Sequence, residues 1–212
     1  SGEAMLTSDT TVTWDGGKVR GRRVLRLGAI ELSSTPVRPD PVRARHVALE
    51  AVRSGGLDVA SLTKNGESLR RRLALAHRVF GDPWPDVSDE ALLARAEEWL
   101  DLDALAAGRG SDATSGLRGL LGWRESARLD EVVPETITVP SGSRIRIDYP
   151  EPGSDTSPVL AVKLQECFGW ADGPTVCDGR VRVVLHLLSP ARRPLAVTDD
   201  LASFWASVYP AV

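Results

Sequence analysis

The order of apolar and polar positions divides the chain into three stretches, of which the first, residues 1–36, has the pattern of β-strands. Polar and apolar residues alternate over 11–14 and again along 18–32, which is the period of a strand with one covered face. Asp15-Gly16-Gly17 lies between the two runs, and glycines at such a position favour a tight turn. We therefore predict a β-hairpin followed by further strand.

Residues 37–132 follow the 3.6-residue period of amphipathic helices, with glycines at the predicted helix ends. The first helix is predicted to bury Val42, His46, Leu49 and Val52. The second is predicted to bury Leu69, Leu73, Ala76 and Phe80. A third, capped by Ser88, is predicted to bury Leu92, Ala96, Trp99 and Leu100. Short helices before Pro134 are predicted to bury Leu117, Leu120, Leu121, Leu129 and Val132.

Residues 133–212 mix the two periods. Strand-like runs at 136–139 and 144–149 flank the loop 140–143, which predicts a second hairpin. Further along we expect a strand leading into a short helix, a well-buried strand and a capped helix, at 159–168, 181–188 and 198–208. The last helix is predicted to bury Leu201, Phe204, Trp205 and Val208. The predicted fold class is α+β, with an N-terminal β segment, a central helical block and a C-terminal mixed α+β unit.

Composition adds the expectation of a soluble, folded chain, because 42% of the 212 residues are hydrophobic and none of the apolar runs is long enough for a membrane span. The start lacks the pattern of a signal peptide, so we expect a cytoplasmic protein. We also expect a monomer that does not bind membranes. The net charge of −3 hides a segregation: residues 18–53 carry nine basic and three acidic groups, whereas 82–112 carry two and nine. This indicates either a nucleic-acid surface beside an acidic face or two blocks that pair with each other.

Motifs for catalysis and cofactor binding are missing. The sequence contains no GxxxxGK[ST] phosphate loop and no GxSxG elbow, and residues 108–113 fit GxGxxA only after a helix rather than after a strand. His46, His77 and His186 are expected to be structural, and Cys167 and Cys177 to be reduced and packed. We expect no catalytic residue, no cofactor and no metal in this chain.

Three groups of basic residues are candidates for contact with phosphate. Arg144 and Arg146 share one strand face, beside a loop in which Ser141 and Ser143 are expected to expose amides and hydroxyls. The loop 189–194 offers Arg192 and Arg193. The triplet Arg70, Arg71 and Arg72 extends around more than half of a predicted helix. The alternative for each is a solvated surface with local ion pairs.

Four stretches carry specific motifs, namely 81–93, 133–149 with PSGSRIRIDY, 159–169 with VLAVKLQECFG, and 187–205 with LLSPARRPLAVTDDLASFW. In order and spacing, from about residue 12 onward, they resemble the C-terminal region of HrpB, a family of bacterial DEAH-type ATP-dependent helicases. The resemblance implies that the motor domains, with ATP and magnesium, lie upstream of this chain. It also implies that the segment 1–36 is the end of an OB-like barrel or a sheet, followed by a helical block over 37–132 and an HrpB-type α+β unit over 133–212.

Two functions follow from the resemblance and the charge pattern. The first is a non-catalytic accessory module that contacts the backbone of single-stranded RNA or DNA. The second is a module that docks on the upstream helicase domains or a partner protein through an acidic helix, using Glu97, Glu98, Asp101, Asp103, Trp99 and an exposed Trp84. The family pattern continues beyond Val212 with a basic, aromatic-containing tail, which we expect to add nucleic-acid affinity.

Overall fold

The computed structural model describes residues 2–208. These residues form two compact units, one from the chain up to Glu67 together with Asp89–Leu120, the other from Ser68–Ser88 together with the chain from Leu121 on. Helices and strands occur in both, which confirms the α+β class. The predicted segments 1–36, 37–132 and 133–212 were drawn by element type, whereas the two units are defined by contacts and are discontinuous in sequence. The segment boundaries therefore stay a prediction.

The first unit begins with a three-stranded antiparallel sheet of β1 (Leu6–Asp15), β2 (Lys18–Leu27) and β3 (Ile30–Val37), in that order. Gly16 and Gly17 have φ angles of 58° and 80°, the left-handed values that a two-residue hairpin turn requires. This confirms the predicted hairpin. The run 18–32 turns at Gly28 instead of continuing as one strand. Within the described residues the sheet is open and does not close into a barrel.

Helix α1 (Pro41–Gly55) packs on this sheet with a face that overlaps the predicted one only in part, since Leu49 and Val52 are buried as predicted. Its buried residues are Ala44, Ala48, Leu49 and Val52. Val42 is 70% exposed, and His46 is also exposed, so the prediction of their burial was wrong. The face with two alanines is the covered one because small side chains let neighbouring elements approach the helix closely.

Helix α2 (Lys64–Phe80) carries the chain from the first unit into the second. The first unit then continues with short helices α3 (Asp89–Ala94), α4 (Ala96–Trp99), α5 (Leu102–Ala106) and α6 (Thr114–Arg118). The predicted stripe of Leu92, Ala96, Trp99 and Leu100 is buried, although it spans two helices. The Trp99 indole N–H donates to the Leu92 carbonyl at 2.8 Å, so the polar edge of the ring is satisfied inside the core.

The second unit contains α7 (Trp123–Val132) and the predicted second hairpin, formed by β4 (Thr136–Thr138) and β5 (Arg144–Arg146). Its main sheet has the order β10-β9-β6, with β6 (Val159–Lys163) parallel to β9 (Val184–Leu188) and β10 (Pro194–Thr198) antiparallel to β9. A small ladder joins β7 (Thr175–Val176) to β8 (Val181–Arg182). The sheet residues exposed by at most 1% are Leu160, Val162, Leu185 and Leu187.

The last described helix, α8 (Leu201–Val208), begins after a cap in which Asp200 Oδ1 accepts the Ser203 amide at 3.0 Å. Leu201 is buried as predicted, but Phe204 and Trp205 are only half-buried. Val208 is 45% exposed, so the prediction that it is buried was wrong. The helix therefore lies at the surface of its unit. Among residues 2–208 we find no helix with the length and apolar character that crossing a bilayer demands.

Candidate nucleic-acid interface

Strand β5 presents Arg144 and Arg146 to solvent. The ladder pairs Thr138 with Arg144 and Thr136 with Arg146, and the alternation of the strand turns both arginines to one face. Both side chains are exposed, and the intervening Ile145 is half-buried. Arg144 Nη2 donates to Thr136 Oγ1 at 3.3 Å, and within residues 2–208 neither guanidinium forms an ion pair. The two positive charges are available to an external anion.

In the loop between β4 and β5, the backbone amides and the Ser141 hydroxyl were expected to be exposed to a ligand. The structure has them hydrogen-bonded within the chain. The amides of Ser141, Gly142 and Ser143 donate to the Glu166 carbonyl at 3.3 Å, the Val139 carbonyl at 2.8 Å and Ser141 Oγ at 3.4 Å. Ser141 Oγ itself donates to the Glu166 carboxylate at 3.3 Å. The three amides and the Ser141 hydroxyl are engaged and a negative charge adjoins them, so the geometry gives no support to a phosphate contact through these groups.

In the turn between β9 and β10, the backbone amides of the two arginines are likewise hydrogen-bonded within the chain. Ser189 accepts the Arg192 amide on its carbonyl at 2.8 Å and the Arg193 amide on its hydroxyl at 3.1 Å. Arg192 has a φ of 62°, so the turn requires a left-handed residue there. Both arginine side chains are exposed, and neither forms an ion pair in the described part of the chain. Only their guanidinium groups can bind phosphate.

The arginine triplet on α2 serves the interior of the second unit instead. Arg70 is 8% exposed and donates to the Val87 carbonyl at 2.9 Å. Arg71 is half-buried and reaches the Glu151 carboxylate at 3.4 Å. Arg72 is 1% exposed. Its guanidinium bonds the Val133 carbonyl at 2.7 Å, Asp130 at 2.7 Å and Glu135 at 3.2 Å. Arg70 and Arg72 are buried and their guanidinium groups are hydrogen-bonded within the chain, which argues against a contact of either with a phosphate backbone.

Part of the segregated charge is neutralised by pairing within the first unit. Arg45 and Arg53 from the basic stretch pair with Asp103 at 2.6 Å and with Glu97 at 3.7 Å. Glu98 pairs with Arg95 at 2.7 Å.

The docking alternative also requires two tryptophans at the surface, but Trp99 is 3% and Trp84 6% exposed. The expectation that Trp84 is exposed was wrong, because its ring stacks on that of Phe80 in the core, with 6.4 Å between the ring centres.

Sequence reasoning missed Trp123, whose side chain is 78% exposed at the start of α7. The guanidinium carbon of Arg124 lies 5.1 Å from the centre of its ring. An exposed aromatic face beside a guanidinium is a surface on which unpaired bases stack. The Trp-Arg pair at a predicted helix start was a signal in the sequence, but sequence does not show which of six tryptophans stays exposed.

The histidine and cysteine side chains differ in their surroundings. His77 Nδ1 lies 2.7 Å from the Trp84 carbonyl, which is a structural hydrogen bond, and His186 is exposed. Cys167 and Cys177 are buried and not joined in a disulfide. Within residues 2–208, no group of three or more His, Cys, Asp or Glu side chains is placed to hold a metal ion.

The two thiols should be unreactive in the folded chain. Burial raises the pKa of Cys167 and of Cys177 to about 11, so at pH 8 only about one thiol in a thousand is the reactive thiolate. We expect Ellman's reagent to label neither cysteine within minutes at pH 8, and both at once after unfolding in urea. Fast labelling of the native chain would contradict the burial of these residues.

The sequence of the chain is similar to that of a known protein family. Residues 96–212 match the family described as ATP-dependent helicase C-terminal, HrpB_C. The chain belongs to this HrpB helicase C-terminal family. The resemblance drawn from the motifs is thereby confirmed.

Known HrpB proteins match nearly the whole chain. It is 40% identical over 214 residues to the ATP-dependent RNA helicase HrpB of Escherichia coli K12, a match that covers 97% of this chain and 26% of that protein. A crystal structure of the E. coli DExH-box NTPase HrpB superposes with a TM-score of 0.73 at 40% identity, covering 96% of this chain and 26% of the other. A crystal structure of the E. coli DEAH/RHA helicase HrpB gives 0.70 at 38% identity, covering 96% and 27%. The chain spans about a quarter of the length of this curated relative.

Proposed function

We propose that this chain is a non-catalytic accessory module of an ATP-dependent RNA helicase, and that it contacts the backbone of single-stranded RNA. Arg144 and Arg146 are the principal contacts in this proposal, with Arg192 and Arg193 as further ones. The observation that carries the proposal is the pair of exposed guanidinium groups on one face of β5 without carboxylate partners among the described residues. Guanidinium groups bind phosphate oxygens in a bidentate manner and without regard to sequence.

The interface in this proposal positions the strand and does no chemistry. Phosphate contacts hold a nucleic acid in register while ATP-driven steps occur elsewhere. The exposed Trp123 with Arg124 supplies a stacking surface for an unpaired base within the same unit. ATP and magnesium would be bound by helicase domains outside this chain, in a cytoplasmic enzyme.

Changing Arg144 and Arg146 together to alanine should weaken binding of labelled single-stranded RNA about 30-fold at about 50 mM salt, because two charged hydrogen-bonding groups of about 1 kcal/mol each are lost. Fluorescence anisotropy of the purified chain measures this. The matched control is the double variant Arg95→Ala, Arg128→Ala, which removes the same formal charge from exposed arginines that are already paired with carboxylates. The control should bind within about twofold of the original chain.

Equal losses in the two double variants would show that net charge alone attracts the RNA and would remove Arg144 and Arg146 from the interface. An absence of binding by the original chain at low salt would favour the docking function. In that case the module would support the helicase by packing on its other domains, and RNA would bind elsewhere.

A further inference from the structure

Phe168 exposes an aromatic ring at the surface of the second unit. The residue follows the 3₁₀ turn Leu164–Cys167 and is 53% exposed, whereas the neighbouring Cys167 is fully buried. The backbone around it is hydrogen-bonded, since the Trp170 amide donates to the Cys167 carbonyl at 3.1 Å. The ring is therefore presented to solvent by a stretch of chain that is anchored on both sides of it.

Trp205 on α8 packs against the Phe168 ring. The two ring centres are 5.8 Å apart and the ring planes are inclined by 41°. The Trp205 indole N–H donates to the Trp170 carbonyl at 2.8 Å, which fixes the orientation of the indole. Phe204 continues the cluster, with 5.5 Å between its ring centre and that of Trp205. Phe168 thus belongs to a preorganised aromatic cluster, and a preorganised side chain loses little conformational freedom when it binds.

The chain on either side of Phe168 lies against the loop between β4 and β5. Before it, the Glu166 carbonyl accepts the Ser141 amide at 3.3 Å. After it, a Cβ added at Gly169 would lie 3.3 Å from the Pro140 Cβ, so the two backbones pass close to each other. The exposed ring is therefore attached to the same hairpin that presents the arginines of β5.

The position of Arg144 on this hairpin is close to the contact at Pro140. Thr138 is opposite Arg144 in the ladder, and Pro140 is two residues further along the chain. At about 3.3 Å per residue, the contact is within about 7 Å of the Arg144 position along the hairpin. The Glu166 carboxylate, which accepts the Ser141 hydroxyl, opposes a phosphate beside the ring, but it does not repel a neutral base.

We propose that Phe168 stacks on an unpaired base of the strand whose backbone Arg144 contacts, and that the module thereby prefers single strands to duplexes. The inference rests on the proposed RNA contact and adds a stacking residue to the one at Trp123. Stacking on an aromatic ring tolerates any sequence, because every base has a π-face. In a duplex the bases are paired and stacked on each other, so the ring has no free base to bind.

The test measures three ligands of equal length by fluorescence anisotropy: a labelled single-stranded RNA, the same phosphodiester backbone without bases, and an RNA duplex. Phe168→Leu removes the ring and keeps an apolar side chain. We expect this change to weaken binding of the single strand about fivefold or more, which is the effect of losing one stacked base. Binding of the baseless oligomer should stay within about twofold, since only phosphate contacts hold it. Phe168→Tyr keeps a ring and should bind the single strand as the original chain does.

The duplex provides a second readout. The original chain should bind the single strand more tightly than the duplex, and Phe168→Leu should reduce this preference about fivefold, because the ring contributes to the single-strand complex only. An unchanged preference in Phe168→Leu would overturn the proposal. So would equal losses on the single strand and the baseless oligomer, because the change would then act on the fold and not on a base.

The Arg144→Ala, Arg146→Ala variant separates this inference from the RNA contact on which it rests. This variant should weaken binding of the single strand and of the baseless oligomer alike. If it does so while Phe168→Leu has no effect, the stacking is refuted and the phosphate contact stands. If only Phe168→Leu weakens binding, the stacking stands and the phosphate contact by these arginines is refuted. An original chain that binds none of the three ligands would refute both.

Discussion

Replacing Arg72 with alanine should lower the free energy of unfolding of the second unit by about 3 kcal/mol. The guanidinium of Arg72 is 1% exposed and bonds the Val133 carbonyl, Asp130 and Glu135, so it ties α2 to the end of α7 and to the chain entering β4. Alanine leaves that carbonyl without a partner and opens a cavity beside the helix. Both carboxylates are largely exposed and regain water, which keeps the loss below that of a fully buried ion pair.

Urea unfolding followed by circular dichroism measures the effect of the Arg72 change. The matched control is Arg71→Ala at the neighbouring position of the same helix. Its bonds to the Glu151 carboxylate and to the Tyr149 carbonyl are both 3.4 Å long, and we expect their loss to cost about 1 kcal/mol or less. Arg72→Lys should recover only part of the loss, because an ammonium group cannot reproduce three diverging bonds of a planar guanidinium. Similar losses at both positions would mean that Arg72 is not the internal anchor that its burial indicates.

Replacing Gly116 with alanine should destabilise the first unit by about 3 kcal/mol. A Cβ at Gly116 would overlap the backbone carbonyl of Trp99, and a backbone atom cannot swing aside as a side chain can. Helix α6 would have to move away from α4, where Trp99 is packed in the core. The outcome opposes ordinary helix propensity, by which alanine is favoured over glycine by about 1 kcal/mol.

The same urea experiment tests the Gly116 change, with Gly110→Ala as its control. At Gly110 the nearest atom to an added Cβ is the Ser61 carbonyl oxygen at 3.5 Å, an ordinary contact. We expect the control to change stability by less than about 0.5 kcal/mol. A stable Gly116→Ala chain would show that α4 and α6 are not in the close contact described above.

Periodicity predicted the elements well where local pattern alone determines them. The hairpin at Gly16-Gly17, the hairpin of β4 and β5, and the buried stripe from Leu92 to Leu100 all follow from spacing and turn residues. Periodicity could not show which face of a helix meets a neighbour, since that depends on tertiary packing. In α1, periodicity correctly predicts the burial of Leu49 and Val52, but it indicates Val42 and His46 where the structure buries Ala44 and Ala48.

The candidate interface was predictable only as a list of charges. Sequence placed Arg144 and Arg146 on one strand face, and the structure has them there. It could not show that the amide and the hydroxyl of Ser141 are engaged, because their acceptor, Glu166, comes from a distant part of the chain. Likewise, nothing local distinguishes Arg72, which is directed into the core, from Arg146, which is directed into solvent.

The most direct test of the central claim is the salt dependence of RNA binding by this chain and by the Arg144→Ala, Arg146→Ala variant. Each phosphate contact on a single strand contributes about 0.7 to the slope of log affinity against log salt. Anisotropy titrations between about 50 and about 200 mM salt should therefore give a slope that is shallower by about 1.4 in the variant. Equal slopes for the two chains would contradict the proposal that these arginines contact the RNA backbone.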